Sequence, residues 1–178
     1  MKLNLGCGPR IMKGFVNVDI RNDLQLDVVD DIRTLKTFKN ETADLIYSCH
    51  GIEHFFKDER LAVLTRWHQV LKKGGTLRLA LPDFEMVAKC YLDGSVPFEK
   101  LWSSLNGSQR HPYDFHYHCY DFKHLKKDLE EIGFANVRRY DWRKTEHAEY
   151  DDYSQAYWPH MDKTNGILLS LNVEATKP

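Results

Sequence analysis

Short apolar runs that are separated by turn residues dominate the first half of the chain. Strand-like patterns occur in five of them: Lys2–Leu5, Phe15–Ile20, Leu24–Val28, Ala43–Ser48 and Thr76–Leu81. The third run alternates apolar and polar residues, and the others are largely apolar, which is typical of strands in a half-buried or buried sheet. Glycines or carboxylates stand at the ends of the first three runs, so we expect these strands to lead into turns.

Helical spacing of apolar residues alternates with these strands. The spacing from Leu61 to Leu71 predicts a helix for which Asp58 is the expected N-cap. Gly74 and Gly75 are expected to end this helix. Three further helices are predicted over residues 83–91, 98–105 and 121–132.

The order of these elements predicts an α/β fold. Strands that alternate with helices form a parallel sheet with helices on its faces. The last two predicted strands, Val137–Trp142 and Ile167–Val173, have no helix between them, so we expect them to pair antiparallel. The predicted architecture is therefore a doubly wound, mostly parallel sheet with an antiparallel C-terminal hairpin.

Two segments lack any regular period. Ser108–Tyr120 concentrates polar and aromatic residues, and Arg143–Gly166 runs for 24 residues without periodicity. Long irregular connections inside a compact domain are usually functional. We expect both to be loop insertions, near 108–120 and 143–166, that fold over a pocket of a single domain spanning residues 1–178.

Composition narrows the class of protein. The chain has 178 residues, 42% hydrophobic content, and 25 basic against 26 acidic residues, so its net charge is 25 − 26 = −1. These values suit one packed domain and disfavour a nucleic-acid partner. No apolar run approaches the roughly 20 residues that span a bilayer. The four cysteines form no C-x-x-C pair, and we expect a cytoplasmic location with no membrane partner.

A glycine turn follows the first strand. Gly6 and Gly8 permit a sharp bend and a close approach of ligand to backbone. A dinucleotide fingerprint needs a third glycine where Ile11 stands, and Pro9 lacks the N–H that a phosphate cradle would use. The turn therefore favours a nucleoside over a dinucleotide.

Two carboxylates lie at the ends of the next strands. Asp19 comes eleven residues after Gly8, where its side chain can accept both ribose hydroxyls. Asp31 ends the following strand and can accept from an exocyclic adenine amine. The alternative for each is a helix cap or a solvated strand end.

Five motifs in order carry a family resemblance. They are Leu3–Gly8 (LNLGCG), Val18-Asp19, Asp31, Ser48–His54 (SCHGIEH) and Val70–Gly75 (VLKKGG). Together they resemble class I S-adenosylmethionine-dependent methyltransferases of the small, bacterial, type 11-like kind. The resemblance covers residues 2–82 well and implies a seven-stranded, Rossmann-like sheet whose last strand is antiparallel. It also implies S-adenosylmethionine as the cofactor.

The resemblance assigns roles to individual residues. Gly6 and Gly8 approach the cofactor, Asp19 holds its ribose, and Asp31 meets its adenine. The full expected cofactor-binding set is Asn4, Gly6, Cys7, Gly8, Asp19, Ile20, Asp31, Ile32, Ser48 and His50.

The chain also departs from the family pattern. Asn4 stands where an acidic residue is common, and Lys73 replaces the usual proline of the VLKPGG turn. Gly6 to Gly14 is only nine residues, so either the first helix spans about one turn or the second strand begins late. Many relatives have helices before the first strand, and none is predicted here, so we expect the pocket to be open on that side. A partner subunit, as in a homodimer, or the two irregular segments would cover it.

Histidines are the candidates for removing a proton from an acceptor. His50 follows the fourth strand and is the first choice for a residue that touches the methionine part or the acceptor; the alternative is a bond to a backbone carbonyl. Glu53 and His54 match the family's Glu-His, and we favour a packing role for both.

A second histidine cluster lies in the first irregular segment. His116 and His118 are two residues apart, so an extended backbone would turn both to one face. One hypothesis makes either of them a base that Asp114 orients. Another has His116, His118 and Cys119 bind zinc, but structural zinc usually needs a second ligand pair, so the sequence predicts no metal site. The third hypothesis is that these residues only pack the loop.

The expected function is methyl transfer from S-adenosylmethionine to a small-molecule acceptor. The loops rich in His, Asp and Tyr favour a hydroxyl of a sugar or of a glycan-linked intermediate. One alternative is a non-catalytic S-adenosylmethionine-binding partner subunit. The other, a NAD(P)-dependent oxidoreductase, is disfavoured by Pro9 and Ile11.

Overall fold

A single seven-stranded sheet forms the centre of the molecule. The computed structural model describes all residues from 1 to 178. The strands are β1 (Lys2–Leu5), β2 (Val16–Asp19), β3 (Val28–Val29), β4 (Ala43–Cys49), β5 (Leu71–Pro82), β6 (Ala135–Arg139), β7 (Tyr157–Trp158), β8 (Ile167–Leu168) and β9 (Ser170–Thr176). The helices are α1 (Arg60–Val70), α2 (Phe84–Asp93), α3 (Phe98–Asn106) and α4 (Phe122–Ile132).

The strand order confirms the predicted fold class. The order in the large sheet is β3-β2-β1-β4-β5-β9-β6. The chain thus runs outward from β1 to one edge, returns to β4 beside β1, and continues toward the other edge. β9 pairs antiparallel with both β5 and β6, as expected for the C-terminal strands. β7 and β8 form a separate two-stranded antiparallel sheet.

The core lies between the sheet and the helices that cover it. Leu3 and Leu5 of β1 and Ile46 of β4 are fully buried. Trp67 of α1 is also fully buried, and its indole Nε1 donates to the carbonyl of Ile32 at 2.7 Å. A buried indole N–H needs such a partner, so this bond fixes α1 against the segment that follows β3.

The connection from β1 to β2 contains no helix, so the one-turn helix that the sequence offers as one alternative is absent. Residues 6–15 are too few to form a covering helix between parallel strands. Side-chain bonds from Asn17 replace helical ones. Its Oδ1 accepts from Met12 N at 2.8 Å and from Asn4 Nδ2 at 3.0 Å.

Helix α1 is shorter than the sequence predicts at both ends. Glu59 rather than Asp58 is the N-cap position, and the helix ends at Val70 instead of Gly74-Gly75. Leu71 is already extended because it pairs with Ala43 of β4. The two glycines lie inside β5, where the pairing with β4 is irregular.

The predicted helices in the second half are confirmed. Asp83 caps α2 by accepting from Glu85 N, and Asp121 caps α4 by accepting from His124 N. α2 and α4 end at Gly94 and Gly133, which are both left-handed. No helix exceeds 11 residues, and none is long and apolar enough to cross a membrane.

The predicted C-terminal strands are shifted rather than absent. β6 ends at Arg139, and Trp142 opens a short 3-10 turn. The second predicted strand is divided at Leu169, whose N–H donates to the carbonyl of Ala156 at 2.8 Å. This bond pulls the chain out of the large sheet and leaves β8 paired with β7.

An ion pair joins α1 to α4 beneath the surface. Arg60 Nε donates to Asp128 Oδ2 at 2.7 Å, and Asp128 is only 2% exposed. We expect Asp128→Ala to lower the free energy of unfolding by about 3 kcal/mol, because the half-buried guanidinium would lose its partner. Glu130→Ala breaks the exposed pair with Lys126 and should cost less than about 0.5 kcal/mol. Urea denaturation of both variants checks this; equal costs would contradict it.

Candidate active site

A cavity opens at the carboxyl ends of the central parallel strands. Its volume is about 710 Å³. The turn after β1, the ends of β2 and β4, and parts of both irregular segments line it. This is the point where the strand order reverses on either side of β1, which is the usual ligand position in an open α/β sheet.

Eleven of the thirteen residues that the sequence assigns to the site line this cavity. They are Asn4, Gly6, Cys7, Gly8, Asp19, Ile20, Asp31, Ile32, His50, Asp114 and His116. Ser48 and His118 lie outside it.

The glycine turn forms one wall of the cavity. Gly6 and Gly8 have φ values of 66° and 55°, a left-handed conformation that favours glycine. Gly6 N donates to the carbonyl of Val18 at 2.9 Å, which holds the turn against β2. A Cβ on Gly6 would lie 3.2 Å from Ile32 Cδ1 and would narrow the cavity.

Asn4 precedes this turn and Cys7 lies within it, and both residues are buried. Asn4 is buried, and its amide donates to Asn17 Oδ1 at 3.0 Å and to the carbonyl of Arg10 at 3.2 Å. Burial, aided by the charge of Asp19, raises the pKa of the Cys7 thiol to about 12. Asn4 therefore shapes the turn, and Cys7 is a neutral thiol rather than a nucleophile.

Asp19 is placed at the end of β2 with both oxygens facing backbone donors. Its Oδ2 accepts from Gly8 N at 2.8 Å and its Oδ1 from Arg21 N at 3.0 Å. Each carboxylate oxygen can accept more than one hydrogen bond. The side chain is thus fixed in direction while it keeps acceptor capacity on the cavity side.

Asp31 accepts more hydrogen bonds from its own chain than the sequence suggests. Arg33 Nε lies 3.0 Å from both of its oxygens, and Arg33 Nη2 donates to Oδ2 at 2.7 Å. Burial opposes ionisation here, but the bonds from Arg33 outweigh it and lower the pKa of Asp31. Ile20 and Ile32 add apolar surface on this side of the cavity.

Ser48 has a structural contact instead of a cavity contact. Its Oγ donates to the carbonyl of Leu5 at 3.0 Å, which ties β4 to β1. A Cβ on Gly51 would overlap this hydroxyl, so the chain passes close to Ser48 before it reaches the cavity.

His50, Glu53 and His116 form a compact cluster in the opposite part of the site. His50 Nδ1 lies 3.2 Å from Glu53 Oε1, and His116 Nε2 lies 3.9 Å from the same oxygen. Glu53 is 1% exposed, and neither of its carboxylate oxygens has a hydrogen-bond partner. The sequence indicated only a packing role for Glu53, yet this residue is the centre of the cluster.

Burial governs the protonation of these three groups. It raises the pKa of Glu53 to about 8. It lowers the pKa of His50 to about 3 and that of His116 to about 4, with the charge of neighbouring histidines acting in the same direction. Both imidazoles are therefore neutral near pH 7 and have a lone pair available.

The two histidines of the first irregular segment do not share a face. His116 Nδ1 lies 3.1 Å from the carbonyl of Ser104, which leaves Nε2 toward Glu53. The ring of His118 instead packs 4.5 Å from Tyr120 and 5.0 Å from His124. The extended-chain argument is wrong here because the backbone of this segment turns to bond Glu53: both Tyr117 N and His118 N donate to its carbonyl.

Asp114 lines the cavity but does not orient a histidine. Its Oδ2 accepts from the hydroxyl of Ser108 and from Arg110 N. The carbonyl of Ser104 holds His116 in the place predicted for Asp114. The sequence gives a ring bond to a backbone carbonyl as the alternative for His50, and the imidazole makes no such bond: Nε2 has no partner and Nδ1 lies near Glu53.

The second irregular segment is anchored into the sheet beside the cavity. Tyr47 OH of β4 donates to Asp152 Oδ2 at 2.6 Å in a buried bond. Arg10 of the glycine turn donates to the carbonyl of Asp151, and its guanidinium lies 4.9 Å from the centre of the Tyr153 ring. Sequence reasoning missed Arg10 because its partner, Asp151, is 141 residues away.

Comparison with known proteins bears on the fold and the class of protein. A family model described as a methyltransferase domain matches residues 10–79. Comparison with curated proteins gives no match. Solved structures match over nearly the whole chain and supply the fold.

Two of these structures are S-adenosylmethionine-dependent methyltransferases of archaea. The one from Methanosarcina mazei has a TM-score of 0.61 and 18% identity, covering 99% of this chain and 91% of its own. The one from Archaeoglobus fulgidus has a TM-score of 0.59 and 16% identity, covering 99% and 85%. The fold is that of the class I S-adenosylmethionine-dependent methyltransferases, so the resemblance seen in the motifs is confirmed. The cofactor that the family model and these structures indicate is S-adenosylmethionine.

Gly107 holds the first irregular segment in place. Its φ is +75°, and a Cβ there would overlap the carbonyl of Asp114. Gly94 has φ +71° and ψ 12°, an ordinary left-handed helical conformation, and open space around it, so Gly94→Ala measures left-handed strain without a clash. Gly107 has ψ 172°, a combination that essentially only glycine adopts. We expect Gly107→Ala to lower the free energy of unfolding by about 1–2 kcal/mol more than Gly94→Ala, because its backbone conformation is less accessible to alanine and Asp114 must also move. Urea denaturation measures the difference, and limited proteolysis should show new cleavage within residues 108–117 only in Gly107→Ala.

Proposed function

We propose that this chain transfers a methyl group from S-adenosylmethionine to a hydroxyl of a small molecule, such as a sugar or a glycan-linked intermediate. The proposal is supported above all by the two-part cavity. One part holds the glycine turn and Asp19, and the other holds the neutral histidines His50 and His116.

The first part suits an adenosyl group. Gly6 and Gly8 allow close approach, and Asp19 has acceptor capacity for ribose hydroxyls. Asp31 offers its remaining lone pairs to an adenine amine beside Arg33. When bound, the cofactor supplies a methyl group already activated by its sulfonium charge, so this part of the protein needs only to bind and orient.

The second part suits an acceptor that must lose a proton. An acceptor oxygen would form its new bond to the methyl carbon as the carbon–sulfur bond breaks, and its proton would pass to an imidazole lone pair of His50 or His116. Tyr113, Tyr117 and Tyr150 also line the cavity. Their hydroxyls can donate to and accept from a hydroxyl-rich ligand, and their rings exclude water.

Loss of the ribose contact should weaken cofactor binding. We expect Asp19→Ala to reduce the affinity for S-adenosylhomocysteine by about 10- to 100-fold, on the order of 1–3 kcal/mol, because two ribose hydroxyls would lose their acceptor. The control is Asp23→Ala, an exposed carboxylate nearby. Isothermal titration calorimetry checks both, and an unchanged affinity in Asp19→Ala would refute the ribose role.

Turnover separates an enzyme from a cofactor-binding subunit. We expect S-adenosylhomocysteine to accumulate when the protein is given S-adenosylmethionine and a panel of sugars and glycosides, and His116→Ala to slow this at least about 100-fold while sparing cofactor affinity. The exposed His160→Ala is the matched control. Tight cofactor binding without turnover on any acceptor would favour the non-catalytic subunit. Normal turnover in His116→Ala would remove that residue from the reaction.

A further inference from the structure

We infer that His50, Glu53 and His116 bind a divalent transition-metal ion at the acceptor end of the cavity. One ligand atom from each of the three residues lies within 4.8 Å of the other two. No other group of three histidine, cysteine, aspartate or glutamate side chains in the chain is this close. The set that the sequence offers for zinc is a different one, His116, His118 and Cys119, and the fold does not bring these three residues together.

The spacing suits a shared ion. Metal–ligand bonds to histidine nitrogen and carboxylate oxygen are about 2.0–2.2 Å, so two ligands of one ion are about 3–3.5 Å apart. His50 Nδ1 and His116 Nε2 lie 3.2 and 3.9 Å from Glu53 Oε1. Small side-chain rotations would bring the three atoms to bonding distance around one point.

The polar atoms of the cluster are short of partners. Both carboxylate oxygens of Glu53 are buried without a hydrogen bond, and so is His50 Nε2. A buried carboxyl group that nothing satisfies is costly, and metal coordination is one of the few ways in which proteins compensate for it. This observation points to a ligand independently of the spacing.

The surroundings hold the ligands in place. Ser104 accepts from His116 Nδ1 at 3.1 Å, which fixes the tautomer with the Nε2 lone pair free, as metal-binding histidines require. Tyr117 N donates to the carbonyl of Glu53 at 2.8 Å, so the segments that carry the ligands are joined through the backbone. The cluster is therefore preorganised.

Two imidazoles and one carboxylate are typical ligands of Zn²⁺, Fe²⁺ and related ions, and three protein ligands leave positions open. His50 and His116 line the cavity, so an open position would face the acceptor. An acceptor hydroxyl bound there would lose its proton more readily, and the histidines would act through the ion rather than as bases. That consequence rests on the proposed function, whereas metal binding does not.

The test is direct titration of chelator-treated protein without cofactor. We expect Zn²⁺ to bind with 1:1 stoichiometry by calorimetry, and Co²⁺ to give the visible absorption of a nitrogen- and oxygen-ligated ion. His116→Ala and Glu53→Gln should weaken Zn²⁺ binding at least about 100-fold. His118→Ala and His160→Ala should stay within about twofold of the wild type.

Thermal melting separates lost binding from lost folding. Zn²⁺ should raise the melting temperature of the wild type but not of Glu53→Gln, whose neutral amide keeps the shape of the side chain and lets the metal-free protein fold. Absence of saturable Zn²⁺ binding in the folded wild type would overturn the inference, and so would loss of binding in His118→Ala with normal binding in Glu53→Gln. S-adenosylhomocysteine affinity, measured on the same samples, reports on the proposed function separately.

Discussion

The parallel pairing of β1 with β4 determines where everything in the site can lie. Leu5 is in register with Ser48, and the Ser48 hydroxyl bonds the Leu5 carbonyl. The two strands therefore end side by side, and the glycine turn that leaves β1 faces His50, which leaves β4. A shift of one residue in this pairing would turn the side chains of one strand to the opposite face of the sheet. The glycine turn on one side of the cavity and the histidine cluster on the other therefore depend on the same register.

The short connection from β1 to β2 places a second demand on the chain. Without a covering helix, the turn has few backbone partners of its own. Asn17 and Asp19, two residues apart on β2, supply them: the amide of Asn17 holds Met12, and the carboxylate of Asp19 holds Gly8. The residue predicted to bind ribose thus also shapes the turn, which explains how a minimal loop can remain ordered around a large cavity.

Sequence patterns predict the parts of this protein that rest on local contacts. α2 and α4 begin at capping aspartates and end at glycines, and both signals act within a few residues. The predicted end of α1 is wrong because Leu71 pairs with Ala43 of β4, and the periodicity of the sequence cannot reveal that pairing. The histidine cluster was found only in part for the same reason. Glu53 meets His116 through backbone bonds between distant segments, and the sequence predicts only a packing role for Glu53.

Several buried polar groups of the protein have no hydrogen-bond partner, and two of them, His50 and Glu53, belong to the cluster at the cavity. Glu53 lies buried without a hydrogen bond, and the buried ring of His147 beside Tyr47 lacks a partner too. Each such group costs about 1–3 kcal/mol, and a chain selected for stability alone would replace it with an apolar side chain. The helix-packing pair of Arg60 and Asp128, by contrast, is fully bonded. Unpartnered groups also occur away from the cavity, as at the hydroxyls of Tyr120 and Tyr140. His50 and Glu53 differ from these because their unpartnered atoms belong to one cluster at the cavity, which is the arrangement expected when buried polar groups serve a ligand.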